Sequence, residues 1–345
     1  MNRITGILLS ASLAATLGSA LTGCGASISP RGQAEPAVPV QSGVKQGAVQ
    51  HTAPLTGLPV ASVNRDRVIV VMVNNFSKAR PQSGLDKADM VYETLEEGYI
   101  SRFMAFYQSE TPDVVGPVRS IRPYNINLSS GFDPIISHAG GSVAALHMLR
   151  SGGYADMDEI YSYPKAYWRV DFRKAPHNLY TSIRKLREGA VKKGYPTEAA
   201  VPTFTFKKDT EEASGAPGSS IAITYSSTNH CGYEYDPGSK QYLRTTDGKP
   251  HIDKETGRQL SATNVLVVGT MHKVVDSDGR LEVNTTGPGE GYLFQRGKAV
   301  KVTWEQKHGI IRAYRNGQEV SLYPGHTWVN IVPNNPTLAA HLSFH

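Results

Sequence analysis

The stretch Arg67 to Val73, RVIVVMV, constrains the fold more than any other part of the chain. It is a continuous apolar, β-branched run with no polar face, so it fits a strand covered on both sides at the centre of a sheet. It ends in Asn74-Asn75, and polar residues at the carboxyl end of a buried strand are a common place for ligand contacts. Further strands are expected at Met90 to Glu93 and Arg102 to Gln108, with Glu96-Glu97-Gly98 connecting them. Pro134 to Ala139 is expected as a short strand that leads through Gly140-Gly141-Ser142 into a helix with apolar positions Val143, Leu146 and Leu149. Leu179 to Lys193 keeps helical spacing at Ile183, Leu186, Ala190 and Val191, and Gly194 is placed to stop it.

From Pro202 the pattern changes to short alternating segments separated by turns such as Asp236-Pro237-Gly238, Asp278-Gly279 and Asn316-Gly317. That is the pattern of a mostly antiparallel β region. The expected class is therefore α+β. An N-terminal α/β sandwich with a mixed sheet occupies 54–208, and a mostly antiparallel, β-rich C-terminal region occupies 209–345.

The N-terminus carries an address. Arg3 precedes an apolar run from Ile4 through Leu17, followed by Leu21-Thr22-Gly23-Cys24. This is the pattern of a signal peptide over 1–23 whose end resembles the bacterial lipobox, with cleavage before Cys24 and lipidation of its thiol. Residues 24–53 then form the lipidated cysteine and a flexible tether of Ala, Pro, Gly, Gln, Ser and Val. The expected location is the outer face of the bacterial cell membrane, with the membrane itself as a partner through the lipid anchor. A formal net charge of +6 favours anionic partners by long-range attraction. The export signal and the lack of a recognition motif set nucleic acid aside. Cys231 is the other cysteine of two, so no intrachain disulfide is available once Cys24 is acylated.

The candidate chemistry centres on Gly116-Pro117-Val118-Arg119-Ser120-Ile121-Arg122-Pro123-Tyr124-Asn125. Gly and Pro preset a turn and Pro123 argues against a helix running on through the segment, so the stretch is expected as an ordered loop presenting Arg119 and Arg122. A guanidinium holds a carboxylate or phosphate in bidentate fashion, and stiffened residues lose less entropy in doing so. Arg80, Arg102 and Arg169 also lie in or beside Gly/Pro/aromatic loops of the same half. The competing reading pairs these arginines with Asp89, Glu93, Glu96 or Glu97 as architecture. Gly141 and Ser142 open a helix whose backbone N–H groups could meet an anion. His138, His177 and Asn178 complete the expected ligand-binding set with Arg80, Arg102, Arg119, Arg122, Gly141, Ser142 and Arg169.

Ser142 and His177, with Asp133 or Asp171 as orienting acid, are type-correct for a serine hydrolase. However, His138-Ala139-Gly140-Gly141-Ser142 lacks the nucleophile elbow, and a serine after Gly-Gly before a helix is most often a cap. His138, His147 and His177 have no metal-ligand spacing, so neither a metal nor another cofactor is expected. Asp89 with Glu93 and Glu96 with Glu97 are the carboxylate pairs open to glycosidic chemistry or to ordinary structural use.

The motifs VNN and ARPQSGL-x2-AD-x-VYE between Val73 and Glu93, EG-x3-RF at Glu97 to Phe103, GPVRS-x-R at Gly116 to Arg122, H-x-GGS at His138 to Ser142 and APHN-x-Y at Ala175 to Tyr180 occur here in one order. Together they resemble the YerB-like lipoprotein family, whose domain carries a domain-of-unknown-function label. The resemblance runs from about Pro54 nearly to the C-terminus and implies an α/β N-terminal part, a smaller C-terminal β part and an envelope location. One departure is local: Gly98-Tyr99-Ile100-Ser101 stands where Gly-Gly-Ile-Thr is expected. The sequence thus leaves three functions open. They are a binder of an anionic envelope ligand such as a glycan or peptidoglycan fragment, a hydrolase or transferase on such material, and a protein-binding scaffold of a membrane complex that uses the β half, with protein partners the sequence does not identify.

Overall fold

The apolar run is a strand, β1 (Ile69–Asn74), buried at every position. Alternate residues feed two cores: Ile69, Val71 and Val73 face one side, and Val70 and Met72 the other. The computed structural model describes residues 51–345; the signal peptide, Cys24 and the tether up to residue 50 lie outside these residues. The last residues of the stretch expected as tether, His51–Thr52, pair antiparallel with Pro59–Val60.

Strands β2 (Met90–Leu95), β3 (Ser101–Tyr107), β4 (Ile135–His138) and β5 (Ala155–Asp158) join β1 in the order β2-β3-β1-β4-β5. Two helices follow the sequence pattern, α2 (Val143–Ser151) and α3 (Ile183–Lys192), and a third, α1 (Pro123–Ser129), begins where only a loop was expected. Buried residues of α1 and α2 enter one core, and Ile183, Leu186 and Ala190 of α3 enter the other. The expected helix 179–193 begins later than its apolar spacing indicates, because Leu179–Thr181 pairs as a strand with Tyr167–Arg169 and Ser182 caps the helix at Lys185 N. Pro123 does more than interrupt. It starts α1 at the first helical position, where its missing N–H costs nothing and its fixed φ suits the turn.

The C-terminal half is all strand apart from one short turn of 3-10 helix. Strands β6 (Ser220–Ser226), β7 (Asn229–Asp236) and β8 (Gln241–Thr246) form an antiparallel sheet with β14 (Leu342–Phe344) against β6. Strands β9 (Asn264–Thr270), β10 (Gly289–Gln295), β11 (Lys298–Lys307) and β12 (Ile310–Arg315) are antiparallel neighbours in sequence order. Strand β13 (Thr327–Pro333) then runs parallel to β9 on one side and to β2 on the other, so one 12-stranded sheet draws on both sides of residue 209. The result is a β-rich mixed α+β fold, with parallel and antiparallel pairs in the same sheet.

The β13–β2 register sets Asn330 beside Glu93, both fully buried. Glu93 Oε2 accepts from Arg244 Nη2 at 2.6 Å, with neither side chain exposed. Arg244 lies over Trp328 at 4.6 Å and Tyr233 at 5.1 Å, and its Nε donates to His251 Nδ1 at 3.2 Å. Removing one partner of such a pair strands a charge, whereas apolar replacement of both need not be costly. Arg244→Met is therefore expected to lose about 3–5 kcal/mol of unfolding free energy in urea titration, and Glu93→Leu with Arg244→Met to recover most of that loss.

Candidate functional site

The Gly116 to Arg122 segment is a loop by shape but is bonded on both sides like a strand. Asn74 N donates to Pro117 O, Arg119 N to Met72 O, Val118 N to Leu179 O and Ile121 N to Gly140 O, all between 2.7 and 3.0 Å. Gly116 has φ 153, and a Cβ there would meet Leu179 O at 2.9 Å. The loop is thus fixed beside the end of β1, and it brings Arg119 and Arg122 to a cleft of about 260 Å³ that Arg102 and His177 also line.

The three arginines of this cleft have different fates. Arg102 Nη1 donates to Glu96 Oε2 at 2.6 Å and to Ser120 O at 2.7 Å, with both charged groups buried. Arg122 grips Glu97 in bidentate fashion, Nε to Oε1 at 2.5 Å and Nη2 to Oε2 at 2.7 Å. Burial opposes both charges of this second pair, but their mutual bond and attraction outweigh it, holding Glu97 below and Arg122 above their ordinary values. Glu96 is raised, because burial outweighs the two guanidinium groups beside it. Arg119 has no salt bridge or side-chain hydrogen bond among the described residues, and its Nε is buried without a protein partner. Burial, then the charges of Arg102 and Arg122, lower its pKa. Three guanidinium groups face two carboxylates, so one positive charge is left over.

His177 lines the same cleft as this charge. Asn74 Oδ1 accepts from Phe76 N at 3.0 Å, which fixes the amide and leaves Nδ2 to donate to His177 Nδ1 at 2.9 Å. The proton of the neutral ring then sits on Nε2. The ring stacks on Phe76 with centroids 5.3 Å apart. Burial, then Arg119, Lys78 and Arg173, lower its pKa below 6.5.

The remaining expected site residues stand apart from the cleft. Arg80 pairs with Asp247 at 2.6 Å and donates to Asn75 Oδ1 at 3.0 Å. Arg169 is half-exposed and ties Asn178 and Glu159, while Asn178 Nδ2 donates to Val170 O. His138 is buried with Nε2 on Asp156 Oδ1 at 2.8 Å and Nδ1 on Gly140 O at 2.9 Å, both structural contacts. Gly141 packs where a Cβ would press Ile121 at 2.9 Å. Ser142 Oγ accepts from Ala145 N at 3.3 Å as the cap of α2, and Asp133 pairs with Arg67. Asp89 accepts from Gln108 N and Ser109 N, so it is a strand-end tie. Burial pushes the Cys231 thiol up to about 12, which leaves it unreactive.

Phe76, Ile100, Asn229 and Asp247 were not among the expected site residues. A second cleft of about 200 Å³ shares Phe76 and Ile100 with the first and is completed by Arg80, Tyr99, Asn229 and Asp247. Asn229 and Asp247 come from the β-rich half, and local sequence patterns carry no signal for a partner so distant in the chain.

Two profiles described as protein of unknown function (DUF3048), N-terminal domain and C-terminal domain, match residues 55–196 and 221–329. The Bacillus subtilis (strain 168) protein YerB, whose name describes it as a lipoprotein, is 41% identical over 287 residues, 82% of this chain and 86% of that protein. The crystal structure of YerB from Bacillus subtilis superposes with a TM-score of 0.78 at 39% identity, covering 85% of this chain and all of that one.

Protonation of His177 adds a second free charge beside Arg119, at the expense of the Asn74 bond. Sulfate, which does not titrate in this range, should therefore bind more tightly as pH falls below 6.5, and His177→Ala should flatten that rise; calorimetric titration across pH checks it. With its motifs, matched profiles and shared fold in agreement, the chain belongs to the YerB-like DUF3048 family.

Proposed function

We propose that this protein is held by a lipid on Cys24 at the outer face of the cell membrane and binds an anionic cell-envelope ligand through the cleft around Arg119. The lipobox-like Leu21 to Cys24 and the lipoprotein name of its relative support the address. No helix among the described residues is long and apolar enough to cross a membrane.

One observation carries the binding reading: Arg119 lines the cleft and, alone of its three arginines, has no carboxylate partner among the described residues. An incoming carboxylate or phosphate on the accessible part of its guanidinium would make a charge-assisted contact of about 1.5–3 kcal/mol. The surrounding loop is already fixed on both sides, so little ordering accompanies capture. The ligand group that fits is a single carboxylate or phosphate, since Glu96 and Glu97 already occupy Arg102 and Arg122. The earlier set of five arginines narrows to this one as the ligand's anchor.

Arg119→Met in the full chain is expected to weaken binding of sulfate and of purified teichoic acid by tenfold or more, roughly the loss of one charge-assisted contact, with a thermal stability equal to or above that of the wild type. Wild-type affinity in that variant removes Arg119 from the site. A hydrolase built on Ser142 and His177 is not favoured, because Ser142 caps α2 and does not line the cleft that holds His177.

A further inference from the structure

The second cleft has a chemistry of its own. Its cation and its anion, Arg80 and Asp247, neutralise one another at 2.6 Å, so the compartment carries no spare charge. Asn229, only 4% exposed, lines it, and its Oδ1 is buried without any donor, while its Nδ2 points to Tyr99 O at 3.5 Å. An unpartnered amide oxygen calls for a hydroxyl or N–H group from a ligand.

Tyr99 supplies the other half of the argument. It is 65% exposed at the rim and has φ 61, a conformation that a bulky residue rarely adopts and glycine takes freely. The neighbouring Gly98 has φ 67, so two successive left-handed residues turn the chain there. The turn is closed by Glu96 N donating to Ile100 O at 2.7 Å and held from outside by Ser226 Oγ donating to Tyr99 O at 3.3 Å. A large ring kept exposed on a strained, anchored turn is a platform. In the pair nearby, Arg80 is mostly buried and Asp247 half-exposed, so the carboxylate offers an acceptor to neighbouring hydroxyls.

We propose that the compartment of Tyr99, Asn229, Arg80 and Asp247 is a subsite for a neutral sugar ring, which stacks on Tyr99 and donates a hydroxyl to Asn229 Oδ1. Because Phe76 and Ile100 line both clefts, the groove as a whole takes a glycan in which a neutral ring is joined to an acid-bearing one; only this extension rests on the reading of Arg119 as an anion site.

The test uses the full chain with two separate probes, the neutral N-acetylglucosamine tetramer and sulfate, followed by tyrosine and tryptophan fluorescence. Tyr99→Gly is the decisive variant, because glycine keeps the φ of the turn without strain, and its thermal midpoint should match or exceed the wild type. It is expected to weaken the tetramer about tenfold and leave sulfate unchanged, whereas Tyr99→Phe retains the tetramer. Arg119→Met should do the reverse, losing sulfate and keeping the tetramer. The subsite is overturned if wild-type protein does not bind the tetramer, if Tyr99→Gly binds it equally well, or if that variant loses sulfate in parallel. Failure of sulfate alone, with tetramer binding still dependent on Tyr99, overturns the anion reading and leaves the sugar subsite standing.

Discussion

The fully buried pair of Glu93 and Arg244 is the interaction on which the rest of the structure depends. It joins β2 of the first half to β8 of the second, and the polar groups around it continue outward in both directions. Glu93 Oε1 accepts from Ser101 Oγ and Asn75 Nδ2; Arg244 donates to the hydroxyl of Tyr233 and to His251, whose Nε2 meets Gln82 Oε1 at 2.7 Å. Burial, then the charges of Arg244 and Arg80, hold His251 well below its ordinary pKa, so its Nδ1 stays an acceptor for Arg244. Gln82 closes the circuit by donating to Asn74 O and Asn75 Oδ1. A network satisfied at this many points fixes one relative placement of its members, since any shift leaves buried groups unpaired. The asparagines at the end of β1 are therefore immobilised from beneath.

That foundation explains how a single uncompensated arginine can exist so near the surface. The cleft contains two carboxylates, yet each is committed elsewhere: Glu96 to Arg102, Glu97 to Arg122. Neither can swing to Arg119 without abandoning a charge that is itself largely out of water. Asn74 points its amide at His177 because its oxygen is held by Phe76 N, and the imidazole is kept as a neutral neighbour of Arg119. The excess charge is thus a product of rigidity. In a mobile loop, Arg119 would find a carboxylate.

Local pattern in the sequence disclosed the elements and their chemistry types, but not the pairings. The β-branched run at Arg67 to Val73, the Gly-Gly-Ser start of α2 and the alternation beyond Pro202 were all legible, because each depends on neighbours a few residues away. So was the rigidity of the Gly116 to Arg122 loop, read from Gly and Pro alone. Pro123 was legible only as a break, since the same ring that ends a helix also begins one. What could not be read was which arginines are spare. Arg80 finds Asp247 across 167 residues and Glu93 finds Arg244 across 151. Both pairs join segments far apart in the chain, and such non-local contacts have no local signature.

The turn Glu96 to Ile100 is where these separate facts meet. Glu96 and Glu97 reach one way and neutralise the arginines beside Arg119, while the Tyr99 carbonyl reaches the other way to Ser226 and Asn229 of the β-rich half. One five-residue segment therefore sets the charge of the first compartment and forms a wall of the second. Glycine would relieve the backbone at Tyr99, so the tyrosine is kept there against a local conformational cost. Its backbone bonds could be made equally by glycine, because they use only the carbonyl. The part of Tyr99 that glycine could not supply is the ring, on a residue that is 65% exposed and lines the second cleft.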